Sequence, residues 1–474
     1  MSTETLSLIG ERSTGADPIP VYDPSTGDFV ASVPDATEDD ALRAVDAASA
    51  AFAAWRTWAP RRRAEVLRRC YDLMSERAEA IAVLISTENG KPLADSRGEV
   101  GYAAEFFRWY SEEAVRATGT LGRSPSGANH ILTQQEPIGV AVLVTPWNFP
   151  AAMATRKIAP ALAAGCTMVL KPATETPLTA FAIAEICREA GVPDGVVTVL
   201  TTRRSGPAVA AMLHDPRVRA LSFTGSTEVG RRLLHESADQ VLKCSMELGG
   251  NAPFLVFADA DLDAAVDGLM IAKMRNGGQA CTAANRIYVE QPVLTEFAER
   301  LAARMGALRV GPGTAEDTEC GPLINAAAVA RVSDLVDQAI SAGARVLTGA
   351  VAPDGPGSFY LPTVLTDVAP TSALASEEIF GPVVGFQAFT SEDAAVEAAN
   401  STEFGLSAYV YTGDLSRGLR VAGRLESGMV AINRGLVSDP AAPFGGVKQS
   451  GLGREGAHDG LLEFTETKYI AVDW

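Results

Sequence analysis

The chain has 474 residues and a formal net charge of −18, from 40 Lys and Arg against 58 Asp and Glu. That length exceeds a single small binding module and allows about two to four domains. The acidic balance argues against a nucleic-acid partner, whose phosphates call for a basic surface. The six cysteines stand at least 21 residues apart with no Cys-x-x-Cys and no His/Cys cluster. This argues against a disulfide scaffold or a bound metal, and fits a reducing, cytoplasmic compartment.

In chain order, the N-terminus carries Glu4 and Glu11 with no basic segment leading into an apolar run. No secretory signal is expected, and the mature chain is expected to begin near Met1. Residues 37–58 and 61–87 are amphipathic and rich in Ala, Glu and Arg, which predicts two helices. Residues 119–137 hold Gly, Ser and Gln with little helical pattern, which fits a hairpin leaving the body. From 138 onward short apolar runs alternate with helix-length segments. Strands are predicted over 138–144, 167–170, 196–200, 220–223 and 253–257, with helices over 151–164, 178–190, 207–213 and 227–237. This alternation is the mark of βαβ units, so an open doubly wound parallel sheet is expected, with its ligand at the carboxyl ends of the strands. Residues 138–155 carry no charge, but Pro146 and Pro150 interrupt them, so a membrane span is not expected. A second α/β series follows, with strands near 287–289, 345–347 and 383–386 and helices over 293–308 and 328–342. A last strand, 465–472, has no obvious partner in the segment before it.

The chain lacks G-x-G-x-x-G, G-x-S-x-G and H-E-x-x-H, and Gly225 to Gly230 is followed by Arg231 where a phosphate-binding P-loop needs Lys. Other local sequences stand out: Thr-Pro-Trp-Asn-Phe-Pro (145–150), Lys-Pro-Ala (171–173), Phe-Thr-Gly-Ser-Thr-Glu-Val-Gly (223–230), Glu-Leu-Gly-Gly-Asn (247–251), Gly-Gly-Gln-Ala-Cys (277–281), Glu-Ile-Phe-Gly-Pro (378–382) and the Gly-rich run 443–455. Cys281 follows two glycines that let backbone approach a ligand, the access a nucleophilic thiol needs. Glu247 ends a strand-like run at a sheet's carboxyl edge, where either a ligand or a surface ion pair would suit it. Asn148 offers an amide beside an apolar helix start, to an oxyanion or as a cap. The turn at Gly225 and Ser226 opens a helix, so it is either a phosphate site or an ordinary cap. Lys171, held by Pro172, is either a ribose or phosphate contact or a solvated lysine.

In this order, over 145–455, the motifs resemble the aldehyde dehydrogenase superfamily, and the resemblance covers nearly the whole chain. It implies an α/β fold of that type: a doubly wound parallel-sheet cofactor domain (1–118 and 138–247), an α/β catalytic domain (248–446) and a β oligomerisation element (119–137 and 447–474). It implies Cys281 as the nucleophile, Glu247 as the general base and Asn148 as the side-chain half of an oxyanion hole, completed by the Cys281 amide. Lys157 matches a family lysine near the site. Pro146, Trp147, Lys171, Thr174, Gly225, Ser226, Glu378 and Phe380 match positions around an NAD or NADP cofactor. The implied protein is a homodimer or homotetramer without nucleic-acid or membrane partners.

The closest resemblance within the superfamily is to succinate-semialdehyde dehydrogenases. It rests on residues 145–157, on Arg275 six residues before Cys281, and on Gly-Leu-Val-Ser (435–438) ahead of 443–446. Arg156, Arg275 and Ser438 would hold the substrate's carboxylate, for which the planar guanidinium fork is suited. Trp147, Phe149 and Phe444 would line the aldehyde tunnel. A glutarate-semialdehyde or broad-range dehydrogenase is the alternative, and an idle structural member of the fold a third reading. Two departures matter. Thr174 stands where NAD-restricted relatives carry Glu, which favours NADP, and Ala283 replaces the second cysteine of many relatives.

Overall fold

The computed structural model describes residues 17–474; Glu4, Glu11 and the start of the first expected domain lie outside the described residues. A hairpin of β1 (Ile19–Tyr22) and β2 (Phe29–Val33) leads into four helices: α1 (Glu38–Trp55), α2 (Pro60–Glu76), α3 (Ala78–Asn89) and α4 (Leu93–Glu113). The N-terminus of α1 is fixed by a capping box in which Thr37 and Asp40 satisfy each other's backbone amides. The stretch expected as one helix over 61–87 is two, because the backbone at Arg77 leaves helical geometry (φ −107°, ψ 14°). The α4 helix was not expected at all.

Strands β3 (Leu121–Arg123) and β4 (His130–Pro137) form the expected hairpin. Then come β5 (Val140–Val144), α5 (Pro150–Ala164), β6 (Thr167–Lys171), α6 (Pro177–Glu189), β7 (Val197–Val199), α7 (Ser205–Leu213), β8 (Val218–Thr224), α8 (Thr227–Ala238) and β9 (Lys243–Glu247). The second half runs β10 (Ala252–Val256), α9 (Leu262–Met274), β11 (Ala284–Glu290), α10 (Leu294–Gly306), α11 (Ala326–Ser341), β12 (Arg345–Thr348), β13 (Thr363–Thr366), β14 (Val383–Phe389), β15 (Ser407–Tyr411), β16 (Met429–Ile432), β17 (Gly451–Leu452) and β18 (Thr465–Val472), with short helices between some of them.

The first large sheet has the order β17-β9-β8-β5-β6-β7 and is parallel except for β17, which runs antiparallel to β9. One face is covered by the core around α2, α4, α5 and α6, the other by the core around α1 and α7. Strands β5 and β6 are buried along their whole length, as a sheet covered on both faces requires. Helix α5 is buried on every side, which explains its all-round Ala, Ile and Leu composition. The second sheet has the order β12-β13-β14-β11-β10-β15-β16, parallel apart from β12. It includes β10, which the alternation of strand and helix had placed with the first sheet. The third sheet, β18-β4-β3, gives 465–472 its partner: eight residues of β18 pair with 130–137 of the same chain. No helix among the described residues is long and apolar enough to cross a membrane.

Candidate active site

The loops that follow β5 and β9 meet the loops that precede β11 and β14 through the Asn148–Gln279 and Gly250–Glu378 hydrogen bonds, and the polar motifs lie on these loops. Glu247 is the last residue of β9 and Cys281 lies three residues before β11. The Cys281 loop turns through two consecutive left-handed residues, Asn276 (φ 50°) and Gly277 (φ 59°), followed by Gly278 (φ 78°). Close approach also demands Gly250, since a Cβ there would stand 2.2 Å from the carbonyl oxygen of Cys281.

Cys281 opens onto a cavity of about 280 Å³ whose walls include Phe149, Met153, Arg156, Arg275, Ser438 and Phe444. Five positions assigned to the substrate from sequence therefore share one space with the thiol. Trp147, expected in the same tunnel, lies instead edge-on to Phe380, with ring centroids 5.4 Å apart and planes at 87°. Asp95, Glu99 and Tyr102 of α4 complete the wall on one side; the unexpected helix thus contributes to the site.

The Asn148 side chain donates from Nδ2 to the carbonyl of Gln279 at 3.1 Å and accepts from Phe149 N–H at 3.1 Å. It does not cap α5, whose N-cap residue is Phe149 and has no side-chain cap. One amide proton is thus held by the Cys281 loop, and the other has no partner among the described residues. Burial pushes the Cys281 thiol up to about 12, against the pull of Arg156 in the opposite direction, so the resting sulfur is protonated at neutral pH. Glu247 is fully buried and neither carboxylate oxygen has a hydrogen-bond partner. Burial, followed by the charge of Glu455, raises its carboxyl well above the usual range.

Arg156 and Lys157 on α5 both ion-pair with Glu455, Arg156 Nε at 2.5 Å from Oε2 and Lys157 Nζ against Oε1. The arginine contact is a short, fully buried ion pair. Lys157 also donates to Ser222 Oγ at 2.9 Å, and the Arg156 guanidinium stacks over Phe444 at 4.0 Å. Although burial opposes them, the two cations hold Glu455 below the usual carboxylate range. The sequence reading quoted the run containing Glu455 but gave that residue no role; a carboxylate two residues beyond a glycine-rich turn was the available signal. Arg275 differs from Arg156. It is half-buried, 5.7 Å from the Phe149 ring, and no carboxylate among the described residues comes within ion-pair range of it.

Around the expected cofactor positions, Pro146 and Trp147 follow β5, Lys171 ends β6 and is mostly buried, and Ser226 caps α8 by accepting from Val229 N–H. Gly225 donates its N–H to the Glu247 carbonyl. Burial lowers the Lys171 ammonium, with Glu175 working against that. Thr174 donates its hydroxyl to that same Glu175 at 3.2 Å, so a carboxylate stands one residue beyond the neutral position. Glu378 accepts from Gly250 N–H at 3.1 Å, and burial raises its carboxyl to about 7. A Cβ at Gly249 would lie 3.1 Å from Glu378 Oε2 and 3.3 Å from Thr227 Oγ1, so the bare backbone keeps that hollow open. A partly buried carboxylate from the second sheet, a buried ammonium at the end of β6 and the helix N-terminus after β8, the latter two flanking β5, fit the hydroxyls and phosphates of a dinucleotide.

The chain belongs to the aldehyde dehydrogenase family, whose profile matches residues 11–470. It is an oxidoreductase of that family. It is 54% identical to a succinate-semialdehyde dehydrogenase of Paenarthrobacter nicotinovorans over 94% of this chain and 99% of that one. It is 48% identical to a glutarate-semialdehyde dehydrogenase of Pseudomonas putida over 96% and 94% of the two chains. A crystal structure described as an NADP-dependent enzyme of E. coli superposes with a TM-score of 0.96 at 46% identity, covering 98% of this chain and 96% of that one.

Proposed function

We propose that this protein oxidises succinate semialdehyde to succinate, using NADP in preference to NAD. The cavity that joins Cys281 to Arg275 and Ser438 carries this reading, because an aldehyde with an acid at its far end is the ligand that needs a nucleophile and an available guanidinium in one short space.

In this reading the Cys281 sulfur passes its proton to water in the open cavity and adds to the aldehyde carbon. The oxygen that becomes negative is met by the free proton of the Asn148 amide and by the Cys281 N–H, donors already in place before reaction. Bound NAD(P) supplies the acceptor for the hydride that the carbon loses. Lys171, Ser226 and Glu378 would hold it, with Trp147 and Phe380 beside them. The carbon is then joined to Cys281 as a thioester. Glu247, unpartnered and raised in pKa, takes a proton from water as that water attacks, and the carbon–sulfur bond breaks to release the acid. The neutral Thr174 and the E. coli structure support NADP.

The P. putida relative favours glutarate semialdehyde as the second reading. One methylene changes transition-state binding by only about 1–3 kcal/mol, so kinetics must separate the two. The test is kcat/KM for C4 and C5 acid aldehydes and for butanal, each with NADP and NAD. Butanal equal to both acid aldehydes would overturn the assignment. The exposed free edge of the β18-β4-β3 sheet supports assembly into a dimer or tetramer; light scattering giving the mass of one chain at micromolar concentration would refute it.

A further inference from the structure

A stretch nearly two hundred residues before Cys281 holds the backbone of the site. Asn89 Nδ2, at the end of α3, donates to the Trp147 carbonyl at 3.0 Å. Lys91 Nζ, in the turn before α4, donates to the Asn148 carbonyl at 2.6 Å. Glu99, nearly two turns into α4, accepts from the N–H groups of Ala151 and Ala152 at 2.8 and 3.2 Å, so it supplies the cap that α5 lacks locally. Lys91 and Glu99 pair at 2.5 Å with both side chains wholly buried. Between them, Asp95 accepts from the Asn276 N–H at 2.7 Å. Asn276 Nδ2 in turn donates to the Asn148 carbonyl at 2.8 Å. The Asn148 carbonyl therefore receives two donors, one from the α3–α4 turn and one from the Cys281 loop, which fills both of its lone pairs.

A buried ion pair is a poor stabiliser compared with apolar packing of the same volume. What this pair does supply is position. The Lys91 ammonium meets Glu99, the Asn148 carbonyl and, at 3.9 Å, the face of Phe149, and three simultaneous partners leave it one placement. We propose that Lys91, fixed by Glu99, is a positioning residue of the oxyanion hole, setting where the Asn148 amide stands relative to Cys281. The proposal rests on Asn148 and Cys281 being the oxyanion donors. Lys91 does not line the cavity, and its one contact with a substrate position is with the uncharged Phe149 ring, which cannot tell an acid aldehyde from a neutral one. Its effect should therefore fall on the rate of the chemical steps and be the same for every aldehyde, because the oxyanion is common to all of them.

The test uses the full-length enzyme as Lys91→Met, with the charge-neutral pair Lys91→Met/Glu99→Gln as a second variant in which no buried carboxylate is left alone. The NADPH burst in a single turnover should slow by about 10- to 100-fold, since the donor is misplaced rather than lost and a shift of about 1 Å costs up to about 10²-fold. The slowing should be equal for succinate semialdehyde and butanal. KM, NADP affinity and the rate of Cys281 alkylation by iodoacetamide should stay within about threefold of the parent. A burst within threefold of the parent in both variants would overturn the proposal. So would alkylation and NADP affinity falling in step with the burst, which would make Lys91 structural only. A parent enzyme whose burst survives iodoacetamide would instead remove Cys281 as the nucleophile, a failure of the underlying reading that the Lys91 variants cannot imitate.

Discussion

The two cavity arginines should fail in different ways when truncated. Arg275 has no carboxylate within ion-pair range among the described residues, so its charge is available to a ligand. Arg275→Ala removes a partner from a desolvated acid and should cost about 3 kcal/mol for succinate semialdehyde, within the 2–5 kcal/mol typical of such truncations. That is about a hundredfold in kcat/KM. For butanal the loss should stay under about threefold. Arg156 is already committed to Glu455. Its removal leaves Lys157 alone against a carboxylate whose charge already raises Glu247. Arg156→Ala should therefore slow both aldehydes, chiefly in steady turnover, and lower Tm, since breaking one side of a buried ion pair is strongly destabilising. Initial rates of NADPH formation over a grid of both aldehydes, with a thermal melt of each variant, decide the matter. A selective loss of the acid aldehyde in Arg156→Ala, with equal losses in Arg275→Ala, would reverse the roles and refute the argument.

Cys281→Ala should abolish dehydrogenase activity and leave NADP binding, followed by fluorescence titration, nearly intact; substantial turnover would rule the thiol out as nucleophile. Glu247→Gln should keep a single burst of NADPH while steady turnover collapses, because it spares thioester formation and removes the proton acceptor for water. Thr174→Glu should lower kcat/KM for NADP relative to NAD by like-charge repulsion with a 2′-phosphate, and an unchanged ratio would place cofactor choice elsewhere. Glu378 is raised from 4.5 to about 7 by burial. Its contribution to stability is thus full below pH 4.5 and is lost as pH rises through about 7, a loss of order 3 kcal/mol. Thermal melts of the cofactor-free protein between pH 5 and 8 should show a shallower fall for Glu378→Gln than for the parent; parallel curves would contradict this.

The βαβ half was legible because each strand and helix there has one consistent period and a Gly or Pro turn at its ends, as at Gly165, the left-handed cap of α5. Helix α4 was missed for a physical reason: Ser96 and Glu99 face the interior, so polar residues occupy core positions and the apolar period breaks. The same inward carboxylate makes the helix part of the site. Strand β10 reads as an ordinary buried strand, and nothing local tells which of two sheets it will join. Motif resemblance named Cys281, Arg275 and Ser438, which line one cavity, but the split between a committed and an available arginine depends on Glu455, almost three hundred residues from Arg156. Pairings of that separation have no local signature.

The first sheet closes on its β9 side with β17, residues 451–452, laid against Glu247. Glu455, just beyond it, satisfies the two α5 cations. A ribosome that has delivered every other strand of this sheet has still not delivered that edge. Until residues 451–455 emerge, the two α5 cations are without this anion and β9 is an unpaired edge strand. A chain halted before residue 451 thus lacks both the neighbour of the Glu247 strand and the anion of the two α5 cations, so one short segment completes the sheet edge and the charge balance of the site together.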